Sequence, residues 1–219
     1  MGLGEQDFKV ATGAKGTAIA SLARASAEPL TVGLMLQWSG MRVKELPYDE
    51  LGPAAGFLRA VLARGDAGFA VLYSDPQWAR RQMVQLGYAS AVTDNAAALG
   101  QFLARARRLE YWGSSALYDW MIEESRVERR AGKQGCRALV IVADGHDNAS
   151  KHSVSRAVQA CLRSRSVVYF VSLVDADPFD RQGLKSVASH FAKRTGGMTF
   201  FIHKKPDFAR AFGLIARDL

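Results

Sequence analysis

Five side chains with oxygen atoms that could bind a cation lie at three places in the sequence, each next to an apolar run or a segment with helical spacing. Two follow the first strongly apolar run, two precede a segment with helical spacing, and one follows the most continuous apolar run. These residues are Gln37, Ser39, Ser114, Ser115 and Asp144. Amide, hydroxyl and carboxylate oxygens without cysteine suit a hard cation such as Mg²⁺ or Mn²⁺. Binding of such a cation is therefore the chemistry that these residues would support if the fold brings them together.

Three uninterrupted apolar runs predict strands that are buried on both faces of a sheet. They cover residues 30–36, 138–143 and 167–174, and stretches with helical spacing separate them. Strands joined in this way form a parallel sheet with right-handed crossovers and helices on both faces. The carboxyl ends of the strands then meet at one edge, where open α/β sheets bind their ligands. Residues 82–88 predict a short edge strand, antiparallel to its neighbour.

The composition indicates one folded domain. The chain has 219 residues, 48% of them hydrophobic, which suffices for one α/β domain with a full core. We expect that domain to cover residues 30–219, after an appendage over residues 1–29 that carries two short strands and indicates the remnant of a preceding region. No apolar stretch is long enough to span a bilayer, and the N-terminus lacks the regions of a signal peptide. Whether Cys136 and Cys161 form a disulfide is left open by the sequence.

Four motifs occur in order and at matching intervals along the chain. They are Pro29-Leu30-Thr31-Val32-Gly33-Leu34 leading to a Ser39-Gly40 turn, Ser115-Ala116-Leu117-Tyr118-Asp119, Asp144-Gly145-His146-Asp147-Asn148, and Thr195-Gly196-Gly197. In these motifs the chain resembles a von Willebrand factor type A (VWFA) domain, and more closely the bacterial subgroup of VWFA-related Acidobacterial domains. The resemblance implies a Rossmann-like α/β fold with a six-stranded, mostly parallel central sheet, one short antiparallel edge strand and helices on both faces.

The resemblance also implies a metal-ion-dependent adhesion site, in which a ligand's carboxylate completes the coordination of the metal. The family's first motif reads Asp-x-Ser-x-Ser, and this chain has Gln37, Ser39 and Met41 there. The family's threonine corresponds to Ser115, and its later aspartate corresponds to Asp144. One carboxylate and one hydroxyl are missing, so less attraction is available to offset the stripping of water from the dication. We therefore expect a vestigial site that binds Mg²⁺ or Mn²⁺ weakly or has lost the metal.

The function that we infer from the resemblance is that of a non-catalytic, adhesion-type module that binds a protein partner at the carboxyl-end edge of the sheet. The predicted partner contacts combine aromatic anchors with polar loop residues. They are Trp38, Trp112, Ser114, His146 and Asp147. The usual setting of the family implies a bacterial protein outside the cytoplasm, periplasmic or secreted.

A purely structural interpretation of the same residues must also be considered. Asp144, Asp147 and Asn148 could end a strand and cap the helix that follows, since such residues are favoured in turns and caps. Ser114 and Ser115 could be helix N-caps, and Trp38 and Trp112 could pack under a loop.

Two other functions rank below the interaction module. Ser39, Asp144 and His203 follow the Ser, Asp, His order of α/β-hydrolases, but the turn at Ser39 lacks both glycines of the nucleophile elbow. The net charge of +8 favours anions or nucleic acid. Several basic residues share helices with Glu123, Glu124 and other acids, however, which indicates solvated helix faces rather than a nucleic-acid stripe.

Overall fold

The central sheet has five parallel strands in the described part of the chain. The computed structural model describes residues 10–12, 15–17, 28–39, 50–62, 66–75, 92–109, 113–130, 135–173 and 181–219. The sheet strands are β3 (Leu30–Gln37), β4 (Ala67–Tyr73), β5 (Cys136–Ala143), β6 (Ser166–Ser172) and β7 (Thr199–Phe201). Their order across the sheet is β4-β3-β5-β6-β7, and every neighbouring pair is parallel.

Helices cover both faces of this sheet. They are α1 (Leu51–Leu62), α2 (Ala96–Ala106), α3 (Leu117–Arg130), α4 (Val154–Ser164), α5 (Arg181–Thr195) and α6 (Lys205–Asp218). One apolar core joins alternate residues of β3, β5 and β6 to α1, α2 and α6, and it includes the stacked rings of Phe57 and Phe212, whose centroids lie 5.2 Å apart. The other core joins the opposite face of the strands to α3, α4 and α5. The predicted α/β class and the parallel sheet with two helical layers are therefore confirmed.

The strands follow from continuous apolar runs rather than from alternation. Every residue of β3 and of β4 is buried, which is the pattern expected when both faces of a parallel sheet are covered. The antiparallel edge strand predicted over residues 82–88 lies outside the described residues. At that edge, Gly68 and Thr93 form an antiparallel bridge through two backbone hydrogen bonds of 2.8 and 2.9 Å.

The N-terminal segment and the cysteines add detail to the sequence predictions. Strands β1 (Val10–Thr12) and β2 (Lys15–Thr17) form an antiparallel pair, shorter and closer together than the two strands predicted in the appendage. No disulfide joins Cys136 and Cys161. None of the described helices combines the length and hydropathy needed to cross a membrane.

The end of α5 requires glycine for a specific steric reason. Gly196 takes φ +88°, the left-handed conformation that commonly ends a helix, and Gly197 then passes against the backbone of β6. A Cβ on Gly197 would lie 2.0 Å from the carbonyl oxygen of Val168. The two glycines therefore let the chain turn from α5 directly into β7.

We expect Gly197→Ala to lower the free energy of unfolding by about 1–3 kcal/mol, because the strand backbone must move to admit the methyl group. The matched control is Gly213→Ala in α6, where a Cβ would meet nothing within 4 Å. There alanine should raise the free energy of unfolding by about 0.5–1 kcal/mol through better helix propensity. Urea unfolding of both variants measures the difference, and equal effects would contradict the steric account.

Candidate functional site

The side-chain amide of Gln37 connects two of the predicted site residues. Its Nε2 donates hydrogen bonds to Ser39 Oγ and to Asp144 Oδ2, each at 2.8 Å, and its Oε1 accepts from the backbone N–H of Asp144, also at 2.8 Å. The contact is possible because β3 and β5 are neighbours, with Leu36 opposite Val142 in the register. The strand ends therefore bring the Gln37 side chain level with Asp144.

The orientation of this amide follows from its partners. The backbone N–H of Asp144 can only donate, so the atom facing it must be the carbonyl oxygen Oε1. The NH₂ group therefore faces Ser39 and Asp144, and its two hydrogens are directed at those two acceptors. No alternative flip of the amide satisfies all three contacts.

Among the described residues, Asp144 accepts hydrogen bonds from two neutral donors. The residue is only 2% exposed, and besides Gln37 Nε2 it accepts the backbone N–H of His146 on Oδ1 at 2.7 Å. The backbone makes a tight turn between Asp144 and His146 at Gly145, which has φ +95°. These donors replace part of the water that the charged group loses on burial.

This arrangement fits a resident dication poorly. A metal at this position would need the lone pairs of Ser39 and Asp144, but the NH₂ group of Gln37 already lies between those two oxygens. Within the described ranges, no group of three or more His, Cys, Asp or Glu residues could hold a metal ion. Met41 lies outside the described residues. Weak or lost metal binding stays a prediction, and this geometry favours it.

Ser115 presents a buried hydroxyl at the same edge. Its backbone N–H donates to Asn148 Oδ1 at 2.8 Å, and its carbonyl accepts the N–H groups of Asn148 and Ala149 at 2.9 and 3.0 Å. The residue is 3% exposed, and its Oγ has no hydrogen-bond partner among the residues that the structure describes. A buried hydroxyl without a partner costs free energy, so this oxygen is available to a water molecule or to a bound group.

The N-terminus of α3 is capped by the loop that follows β5. Asp147 Oδ2 accepts the backbone N–H of Tyr118 at 2.9 Å, and Ser150 Oγ accepts that of Asp119 at 3.0 Å. The Ser150 hydroxyl in turn donates to Asp147 Oδ2 at 2.6 Å. Two of the backbone N–H groups that the first turn of a helix leaves without a partner are therefore bound here by side chains about thirty residues later in the sequence.

The structural interpretation of these polar residues needs correction on this point. In that interpretation Asp147 could cap the helix after it, but Asp147 caps the preceding helix, α3, because the loop after β5 crosses over the start of α3. The helix that does follow, α4, has Ser153 as its N-cap. The same interpretation allowed Ser115 as an N-cap, but the Ser115 hydroxyl makes no capping hydrogen bond.

Asp119 of α3 also binds the loop that follows β5. Its two carboxylate oxygens accept the backbone N–H groups of Lys151 and His152, both at 3.0 Å, and Oδ1 also lies 2.7 Å from His152 Nδ1. Partial burial alone would raise the pKa of the Asp119 carboxyl. The two backbone N–H groups and the imidazole outweigh that effect and hold the pKa below its ordinary value.

The predicted partner contacts divide into buried and accessible residues. Trp38 is only 1% exposed; it packs in the core with α1 and α2, and its Nε1 donates to the Leu109 carbonyl at 3.4 Å. The prediction that Trp38 contacts a partner is not supported, because its surface is already covered. Ser114 is exposed, while His146 and Asp147 are half-buried. Trp112 lies outside the described residues.

The residues of the hydrolase alternative lie on separated strands. Ser39 follows β3 and is 2% exposed, whereas His203 follows β7, three strand positions away, or about 14 Å at the usual strand spacing. The backbone N–H of His203 donates to Asp207 Oδ2 at 3.0 Å at the start of α6. Neither the burial of Ser39 nor this separation favours a Ser-His-Asp triad.

Comparison with solved structures identifies the fold. A von Willebrand factor type A protein from Catenulispora acidiphila matches 86% of this chain and 42% of its own, with a TM-score of 0.61 and 15% identity. The chain has the von Willebrand factor type A fold. The pilus adhesin SpaC from Lactobacillus rhamnosus GG, in its open conformation, matches 87% of this chain and 30% of its own, with a TM-score of 0.64 and 9% identity.

A third solved structure, a mutant of the PilB minor pilin from Streptococcus sanguinis, matches 95% of this chain and 66% of its own, with a TM-score of 0.62 and 9% identity. The chain thus spans less than half the length of the Catenulispora and SpaC chains. No family model and no curated protein matches the sequence. These comparisons establish the von Willebrand factor type A fold, while the Acidobacterial subgroup stays a prediction.

In this von Willebrand factor type A fold, three residues that join the loop after β5 to the start of α3 were not predicted from the sequence. Asp119, Ser150 and His152 bind across the start of α3, yet none was a candidate site residue. The spacing of Asp147 and Ser150 is typical of a polar turn and could have indicated one. Their partner on α3 is about thirty residues earlier, and no local pattern marks it.

We expect the contribution of Asp119 to the free energy of unfolding to depend on pH. Because the folded-state pKa is lower than the unfolded value of about 3.9, the stabilisation is present above that value and is lost as the pH falls through the folded-state pKa. Asp119→Asn should therefore cost about 1 kcal/mol or more at pH 7 and progressively less below pH 4. Urea unfolding from pH 7 to pH 3 measures this. Asp94→Asn, at an exposed position before α2, is the control, and a pH-independent cost for Asp119→Asn would contradict the account.

Proposed function

We propose that this chain is a non-catalytic protein-interaction module that binds its partner at the carboxyl-end edge of the parallel sheet without a tightly held divalent metal. The observation that carries the proposal is the Gln37 amide, which donates to both Ser39 and Asp144 at 2.8 Å. A neutral group thereby meets the hydrogen-bonding needs that a dication would otherwise satisfy at those two oxygens.

The physical consequence concerns how a partner is recognised. A metal-dependent site captures a carboxylate by completing the coordination of the cation, and this requires an exchangeable position on the metal. Here the buried carboxylate of Asp144 is already bound by Gln37 and by the His146 backbone N–H. Recognition is therefore assigned to hydrogen bonds and shape at the surrounding loops, where Ser114 is exposed and His146 and Asp147 are half-buried.

Structural neighbours support the adhesion-type role and a location outside the cytoplasm. SpaC is a pilus adhesin and PilB is a minor pilin, and both have folds similar to that of this chain. The buried Ser39 and the distant His203 support a role without catalysis. We therefore favour a protein partner over a substrate.

The metal part of the proposal predicts a gain of cation dependence in Gln37→Glu. This isosteric change places a second carboxylate against Asp144 Oδ2, where like charges 2.8 Å apart require a proton or a cation. In EDTA at pH 7 the variant should melt below the wild type. Saturating Mg²⁺ or Mn²⁺, at about a hundred times its dissociation constant, should add about 2.7 kcal/mol and raise the midpoint by about 5–10 °C. The wild type should shift by less than about 1 °C.

A charge swap provides the matched control for this thermal melt. Gln37→Glu combined with Asp144→Asn restores one carboxylate and one amide, so the response to cations should disappear. A wild-type midpoint that rises with Mg²⁺ or Mn²⁺ as far as that of Gln37→Glu would show that the amide does not replace the metal. It would then contradict the proposal of metal-independent recognition.

The non-catalytic part of the proposal predicts resistance to a serine-directed reagent. A fluorophosphonate probe should leave the folded protein unlabelled, because Ser39 is buried and its hydroxyl accepts from Gln37 rather than lying beside a base. Intact-mass spectrometry after incubation measures the labelling, with Ser39→Ala as the control. Labelling of the wild type that disappears in Ser39→Ala would overturn this part of the proposal and revive the hydrolase alternative.

A further inference from the structure

A cleft lined by arginines lies between α3 and α4, on a helical layer rather than at the sheet edge. Its volume is about 200 Å³, and its lining includes Arg126 of α3 together with Arg156 and Arg163 of α4. The spacing on α4 explains the convergence. Arg156, Ala160 and Arg163 are four and then three residues apart and so form one stripe of the helix.

The floor of the cleft supplies few hydrogen-bond donors of its own. Ser125 Oγ donates to the Ile122 carbonyl at 2.8 Å, and Ser164 Oγ donates to the Cys161 carbonyl at 2.9 Å. Ser164 Oγ also lies 2.7 Å from Ser166 Oγ, so both hydroxyl groups already have partners within the protein. The donors that a ligand would meet are the guanidinium N–H groups of the arginines.

The positive charge of the cleft is only partly neutralised. Arg126 Nη1 pairs with Glu123 Oε2 at 2.9 Å, with both side chains about half exposed. The guanidinium groups of Arg156 and Arg163 make no ion pair or hydrogen bond in the structure as described. Arg156 also lies in the first turn of α4, which has no acidic residue, although the partial positive charge of a helix N-terminus favours acids there.

We propose that this cleft binds an extended oligoanion that carries phosphate or sulfate groups. Guanidinium groups present paired donors that match the oxygens of phosphate and sulfate, which makes arginine the suitable residue for such ligands. Arg156 and Arg163 are seven residues apart, a rise of about 10 Å along the helix. A linear chain of two or three charged groups can reach all three arginines, whereas a single phosphate can engage only part of the set. This proposal does not depend on whether a metal or a protein partner binds at the carboxyl-end edge of the sheet.

Isothermal titration calorimetry with tripolyphosphate, pyrophosphate, orthophosphate and sucrose octasulfate tests the proposal. We expect affinity to rise from orthophosphate to tripolyphosphate, because longer chains reach more of the arginines. Arg156→Gln combined with Arg163→Gln should weaken the binding of tripolyphosphate by about tenfold or more, since two charge-assisted contacts are lost. The probe whose binding the double variant weakens by tenfold or more identifies the ligand class, because that loss measures contacts with the two arginines and not total charge: tripolyphosphate for a phosphate chain, sucrose octasulfate for a sulfate ester.

The control variant removes the same charge elsewhere. Arg210→Gln combined with Arg217→Gln changes two exposed arginines of α6, which packs on the opposite face of the sheet. It should keep wild-type affinity, and thermal melts without ligand should show that both double variants fold. Equal weakening in the two variants would mean that the net charge of +8 alone attracts these anions, and it would overturn the proposal. No binding of either tripolyphosphate or sucrose octasulfate would overturn it as well.

Discussion

Burial of the Asp144 carboxylate is the constraint around which the edge of the sheet is arranged. A charge at the end of a central strand loses its water and must be given donors or a counter-ion. The chain uses the amide of Gln37 from the neighbouring strand and the backbone N–H of His146, reached through the left-handed Gly145. The strand register that places Gln37 beside Asp144 is therefore both a structural requirement and the determinant of the site's chemistry.

The loop after β5 connects that buried charge to the helical layer. It begins with the contacts of Asp144 to β3 and continues with Asp147 and Ser150, which pair with backbone N–H groups at the start of α3. Asp119 then binds the far end of the same loop. Strand, loop and helix are consequently held in one arrangement, so a partner at this edge would meet a preorganised surface.

The sequence predicted the fold well because continuous apolar runs report burial directly. The strands β3, β5 and β6 all lie within one or two residues of their predicted ranges. The candidate site was predicted less completely. Gln37, Ser39 and Asp144 do come together, but the burial of Trp38 depends on packing against α1 and α2, which no local pattern shows. The donor role of the Gln37 amide, rather than its oxygen, could be recognised only once the Asp144 N–H had been placed.

The capping of α3 from a later loop has a consequence for the order in which the chain is synthesised. The helix is synthesised before Asp147 and Ser150, and these two partners can reach its N-terminal amides only after the loop that follows β5 has left the ribosome and β5 has paired with β3. Short helices are marginal in isolation. Chains that end before Asp147 therefore lack the side chains that cap α3, and the start of this helix is completed by tertiary contacts rather than by its own sequence.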